Sequence, residues 1–387
     1  MLHDSRRWLL IALVSLAAPL TAHADPLLWY GARNVGSPRN WLRGADECRP
    51  GQHCLYCTAD VRGQFASSWA TGNAQWTPDW SAPHPPSSRR PSQAFDDGHF
   101  QGVTSLQSDW FARYVLTHSD PDASDDGDLV ILGAAGTDTE LTLTTIFPFP
   151  DSHPSPPLSI GYFAGAMASD SGAQTSSLRL FDARFLFESQ DVHHDFERTH
   201  PDEPFVRGGN GIGIAPLAEA GYLMIASSRA GSGSLYGGYP DGSIYASFYY
   251  LEGDLAETNG LNRMEYLGSQ HLRTSGGDDA QSEAMSLLVE CDTGDVYAVH
   301  TDGARYTAEA RLSKFVWDGE PHLELVDRRS MSQNLSTCNV YSGATVSADA
   351  YGLMSLACTE KKAGDERNDL RIRGTAPCQN PWVTGCN

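Results

Sequence analysis

The chain has 387 residues, with 48 Asp and Glu against 27 Lys and Arg, and a formal net charge of −21. So acidic a surface repels phosphate backbones and anionic headgroups, which argues against nucleic acid and against docking on an anionic membrane. It is compatible with cations, neutral sugars or basic peptides, and it also serves plain solubility outside the cell.

In chain order, residues 1–24 read as a secretion signal. Arg6 and Arg7 precede the apolar run 8–18, and Ala22-His23-Ala24 is a small-x-small cleavage site. The run is too short for a membrane span, which needs roughly 20 residues, and no later segment approaches that length. The mature protein is therefore expected to be secreted or periplasmic, without a membrane span. Ser5-Arg6-Arg7-Trp8 also resembles a twin-arginine address, so the export route stays open. Cleavage removes two arginines and one aspartate, which takes the net charge from −21 to −22.

Residues 25–42 contain a strand-like stretch at 27–34. Residues 43–98 carry Cys48, Cys54, Cys57 and three tryptophans, and end in a Pro/Ser-rich tether around 83–91. This reads as a disulfide-pinned cap or loop. The eight cysteines, all beyond residue 24, imply four disulfides in an exported chain, although eight cysteines allow 105 pairings. Proximity favours Cys378–Cys386 in the tail 374–387 and one bridge within Cys48, Cys54 and Cys57. The Cys54-Leu55-Tyr56-Cys57 spacing lacks a helix start for thioredoxin chemistry and a second CxxC for zinc, so structural disulfides are expected.

From residue 99 to 373 a two-strand unit recurs: a short small-residue strand, a turn, then a strand of branched and aromatic residues. The second strands read Tyr114-Val115-Leu116-Thr117-His118-Ser119-Asp120, Tyr222-Leu223-Met224-Ile225-Ala226-Ser227-Ser228, Val296-Tyr297-Ala298-Val299-His300-Thr301-Asp302 and Leu353-Met354-Ser355-Leu356-Ala357-Cys358-Thr359. Their first strands fall near 103–106, 212–217, 285–291 and 344–347. Further strands are expected at 128–132, 140–147, 243–251, 308–316 and 322–327. Residues 155–204 hold strand-like stretches at 160–167 and 178–188 but lack the repeat signature. Sustained helical periodicity is nearly absent. A unit with too little apolar surface to fold alone, repeated around a ring, builds a β-propeller. The expected fold is all-β: a single propeller of about five blades, six as the alternative. Disulfides stabilise it, and the strand at 27–34 joins the last blade, which removes an exposed edge.

Several residues carry candidate chemistry. Asp122, Ser124, Asp126 and Asp128 present oxygens at alternate positions around a tight Gly127 turn, a short loop suited to Ca²⁺. An EF-hand would need Glu at its twelfth place, where Gly133 stands. His118 and His300 occupy matching repeat positions, and His99 and Gln101 precede the first strand of blade one; these four are the expected ligand-binding residues. His193-His194-Asp195 with His200 reads as a polar loop, and Asp120, Glu290, Asp292, Asp302 and Glu360 as turn carboxylates. The Gly-rich runs 208–213 and 231–238 precede strands, not a helix, so they read as turn glycines and not as a phosphate cradle. Tyr236, Tyr239 and Tyr245 are candidates for sugar stacking.

The repeat pattern resembles exported bacterial β-propellers over 27–34 and 99–373. The likeness implies an architecture and no catalytic residues. The function expected is a binding protein for a carbohydrate, peptide or protein ligand. The alternatives are a hydrolase of glycosides or phosphate esters with an acidic axial pocket, or a purely structural surface protein.

Overall fold

A computed structural model describes residues 57–68, 77–81, 99–106, 112–119, 127–134, 141–149, 154–161, 163–170, 175–182, 191–196, 211–217, 221–229, 243–251, 264–274, 281–304, 307–330, 345–348, 354–357 and 371–374. A helix, α1 (Val61–Ser68), comes first, followed by strand β1 (Thr77–Ser81). Four antiparallel meanders follow. The first sheet holds β2 (His99–Ser105), β3 (Ala112–Ser119), β4 (Gly127–Ala134) and β5 (Leu141–Phe149); the second holds β6 (Leu158–Ile160), β7 (Phe163–Asp170), β8 (Thr175–Asp182) and β9 (Asp191–Phe196). The third holds β10 (Ile212–Pro216), β11 (Tyr222–Arg229), β12 (Ser243–Leu251) and β13 (Met264–Thr274). The fourth holds β14 (Gln281–Val289), β15 (Val296–Ala304), β16 (Thr307–Trp317) and β17 (Pro321–Ser330). Beyond them β18 (Thr345–Ala348) pairs with β19 (Met354–Ala357), and β1 pairs antiparallel with β20 (Arg371–Gly374).

In each four-stranded sheet the strands neighbour one another in chain order, the pattern of a propeller blade. The first strands of successive sheets touch in turn: β2 meets β6, β6 meets β10, β10 meets β14, β14 meets β18, and β18 meets β2. They also run in the same direction. Thr345 Oγ1 donates to Val103 O while Ser347 Oγ meets Ser105 Oγ, and Gly211 and Gly213 back onto Met285 and Leu287, so each contact advances in step along both strands. The end at which β2, β10, β14 and β18 begin is called here the upper end.

The core lies between sheets. Val115, Leu129, Ile131, Ala164, Ala166 and Phe181 fill the space between the first and second. Leu178, Leu180, Ile212, Ile214, Met224 and Tyr249 fill the next. Ile225, Phe248, Met285, Val296, Ala298 and Leu323 fill the third, with Phe248 and Phe315 ring centroids 5.8 Å apart. Burying a side chain of this kind contributes roughly 1.5–3 kcal/mol, and period-2 alternation lets each sheet offer apolar residues to both neighbours.

The first strands themselves are joined by hydroxyls and glycines. Ser159 Oγ donates to Ser105 O at 2.6 Å, and Val346 N donates to Ser286 Oγ at 2.9 Å. A Cβ at Gly211 would overlap the backbone of Ala284 and Met285. Those glycines were expected to serve turns; Gly213 instead lies within β10 and Gly211 just before it, and both allow two backbones to approach closely.

Three further expectations are corrected. Residues 160–167 are not one strand: the chain turns at Gly161, where φ is +58°, and β6 and β7 pair across that turn. His193, His194 and Asp195 are not in a loop but in the outer strand β9, opposite Arg179, Leu178 and Ser177. The cap region contributes a helix and a strand, α1 and β1, and it is β1 that pairs with β20. The strand expected at 27–34 lies outside the described residues. Among the described residues no helix is long and apolar enough to cross a membrane.

Candidate functional site at the upper end of the ring

The upper end gathers the starts of first and third strands and the finishes of second strands. In the first sheet it brings together most of the expected ligand-binding residues. His99 pairs with Ser119, and Phe100 pairs with His118. Gln101 sits at a register shift between Phe100 and Gly102 and is buried. Such a bulge re-aims a side chain at a strand end. His118 is fully buried opposite Asp128, with Nδ1 3.8 Å from Asp128 Oδ2. That separation is too long for a hydrogen bond and suits an ion pair when the imidazole is protonated. Asp128, the last of the four expected calcium donors, therefore turns its carboxylate toward His118. Asp122, Ser124 and Asp126 lie outside the described residues. Among the described residues no group of three or more His, Cys, Asp or Glu is placed to hold a metal ion.

His300 is buried in the fourth sheet, opposite Met285 and Arg311, two pairs below the bulge of β14, whereas His118 pairs just above the bulge of β2. Strand alternation fixes where each histidine faces. His300 shares the face of Val296 and Ala298, which pack on the third sheet. His118 lies on the face opposite Val115, which packs on the second sheet. Each histidine thus faces the gap before its own sheet. The match in sequence is not a match in register: His300 stands level with Leu116 of the first sheet, and the two histidines face different gaps.

The next stretch of the upper end is a buried polar knot that no sequence motif announces. Thr117 Oγ1 donates to Ser155 O at 2.7 Å, Ser155 N donates to Met167 O at 2.8 Å, and Met167 N donates to Ser155 Oγ at 2.8 Å. The residues before β6 are thereby fixed to both β3 and β7. In the third sheet Ser227 plays a similar part, its N and Oγ both donating to Gly211 O. Buried polar groups satisfied in this way rigidify the rim on which neighbouring connections are mounted.

Candidates elsewhere resolve as structural. Tyr245 is buried and packs against His271 with centroids 5.3 Å apart, so it offers no exposed ring. Glu290 closes the β14–β15 turn, its Oε2 accepting from Thr293 Oγ1 at 2.7 Å. Tyr236, Tyr239, His200, Asp120 and Glu360 lie outside the described residues.

The opposite, lower end carries the first-to-second strand turns and is held by the cap region. Cys57 is bonded to Cys291, not to a cysteine of its own cluster. Thr58 N donates to Val289 O at 2.7 Å and Cys291 N to Thr58 O at 3.0 Å, a bridge that splices residue 58 onto the end of β14. A helix start does follow the CxxC motif. Asp60, at φ +47°, caps α1 by accepting the Gly63 N–H at 3.0 Å. The legible signal was Asp60 ahead of Val61; with Cys57 committed to Cys291, the motif is not a dithiol pair.

No known family matches this chain, and no curated protein does. Among solved structures it is similar to the periplasmic gluconolactonase of Pseudomonas aeruginosa, at 12% identity over 70% of this chain and 69% of that one, TM-score 0.35. It is also similar to the β-propeller domain of the Trilobed protease from Pyrococcus furiosus, at 8% identity over 76% of this chain and 99% of that domain, TM-score 0.27. At these scores neither likeness bears on activity.

Proposed function

We propose that the protein is an exported five-bladed β-propeller that binds a carbohydrate, peptide or protein ligand at its upper end. The cycle of five first strands supports the count, with β18, β19, β20 and β1 as the fifth blade and β1 closing the ring. The observation that carries the binding reading is the asymmetry of the two ends. Strand ends at the upper end are joined across 197–211, 230–242, 331–344 and 358–370, whereas most lower-end connections are short and the cap segment is bonded there. Long connections mounted on a rigid rim are where ring proteins place recognition. Gln101, His99 and His118 belong to the first sheet near this end and His300 to the fourth, and amide and imidazole groups suit sugar hydroxyls and peptide amides.

The test is thermal unfolding of the oxidised, processed protein against panels of neutral oligosaccharides and basic peptides, each with CaCl₂ or with EDTA. Ligand binding to the native state raises stability by RT ln(1 + [L]/Kd), about 2.7 kcal/mol at a hundredfold excess over Kd. A ligand-specific rise abolished by Gln101→Ala supports the reading. A calcium-specific rise removed by Asp126→Ala assigns the metal loop. Release of product from a glycoside or phosphate ester replaces it with the hydrolase reading, and no shift with any compound leaves a structural ring.

A further inference from the structure

We propose that residues 57–68 form a redox-set strap that holds the fourth sheet against the β18–β19 hairpin, so that the seam sensitive to thiol chemistry lies there and not at the chain's own β1–β20 pairing. The strap grips one sheet with each half. Its first half is bound to the fourth sheet through the Cys57–Cys291 disulfide, the Thr58 bridge to β14, and Arg62, whose Nε donates to Tyr297 Oη at 3.2 Å. That hydrogen bond, reinforced by the Glu290 and Asp295 carboxylates, holds the Arg62 guanidinium above its ordinary pKa. Its second half is bound to the hairpin: Gln64 Oε1 accepts from Met354 N, the first amide of β19, at 2.7 Å. Gln64 Nε2 donates to Ala59 O, which fixes the side chain in that pose. Val61 and Phe65 are fully buried, and α1 touches both β17 and β19.

The hairpin needs such support. Its strands are four residues each, the first sheet's seven to nine. On its other flank it is held to β2 by Thr345 and Ser347, contacts the strap does not share. A dithiol reductant would transfer two electrons and two protons to the Cys57–Cys291 bond, giving two thiols and leaving the reductant as its own disulfide. The strap would then stay joined to β1 through the chain, but its hold on the fourth sheet would be reduced to the Thr58 bridge, Arg62 and the contact of α1 with β17.

Hydrogen exchange of the whole processed protein, oxidised and after dithiothreitol, tests this, together with Cys291→Ser and with Phe65→Ala in the oxidised protein. The expected result is faster exchange, tenfold or more, in 57–68, 285–289 and 345–357 for all three. Strands β2 to β9 and the pair β1–β20 should keep their protection. Exchange that rises equally in every sheet, stays confined to 57–60, rises first at 371–374, or does not change would each overturn the proposal. Phe65→Ala separates loss of the strap from loss of another disulfide, because it changes no cysteine and leaves the Cys57–Cys291 bond in place.

Discussion

Gly211 shows how single residues set the spacing of this ring. Its Cα hydrogen faces the backbone of Ala284 and Met285, so the first strands of the third and fourth sheets approach more closely than side chains permit. Adding one methyl group there forces β10 and β14 apart, and because the obstruction is backbone, no rotamer change relieves it. Gly211→Ala should therefore lower unfolding stability by about 1–3 kcal/mol, the usual cost of overpacking a filled interior. Ser227→Ala, which deletes only the hydroxyl bond to Gly211 O, should cost about 1 kcal/mol because the backbone bond to the same oxygen remains. Urea midpoints of the two variants check the order. Equal midpoints would mean that β10 and β14 have room to separate.

Elements bring a different hazard, the open edge. β17 is the outermost strand of its sheet and carries Leu325 at 56% exposure, so it presents unpaired backbone beside an apolar side chain. Gln270 of β13 answers this. Its Nε2 donates to Leu323 O at 3.1 Å and its Oε1 accepts from Leu323 N at 2.7 Å, so one amide side chain takes the place of a neighbouring strand. Gln270→Ala should leave the fold in place, lower its stability by about 1–2 kcal/mol through the orphaned Leu323 groups, and raise the rate of aggregation. Light scattering on mildly heated protein reads this, and Leu325→Lys in the same background should reverse it. The elements also show what a sequence discloses. Strands such as Ser243–Leu251 and Tyr222–Arg229 are dense in branched and aromatic residues, so their existence and nearly their bounds follow from composition. The strand β7 was obscured because Ala164, Gly165, Ala166 and Ala168 give no such density, and because a tight turn at Gly161 divides it from β6. At the upper end, matching positions identified His118 and His300, but the gap each faces depends on which residues pack behind it, and pairwise contact is not written in a repeat. The strap was illegible for the same reason: Cys57 and Cys291 are 234 residues apart in sequence.

For the whole molecule the question is how a ring made from one chain is kept shut. Four sheets are continuous meanders, each made from one stretch of chain, whereas β1 and β20 join residues far apart in sequence, Trp80 opposite Ile372. If the β1–β20 pairing closes the ring as proposed, it confines both ends at the loss of chain entropy, a cost that grows only slowly with loop length, so its benefit would lie in removing free edges. If the fifth blade is completed in this way, a chain ending at residue 370 loses one strand and exposes the edges of both β1 and β19. It should unfold at a lower temperature, by roughly 1–1.5 °C for each kcal/mol lost, since the entropy of unfolding is about 2.1 cal/mol/K per residue. It should also associate through the exposed edge in sizing chromatography, and a synthetic peptide of residues 368–376 added in excess should restore the monomer. The four meanders should retain their far-ultraviolet strand signal throughout, because none of their ladders involves β20. A shortened chain that stays monomeric with an unchanged melting temperature would show that the ring is held by its first-strand contacts alone, and β1 would then be an ornament on the rim and no closure at all.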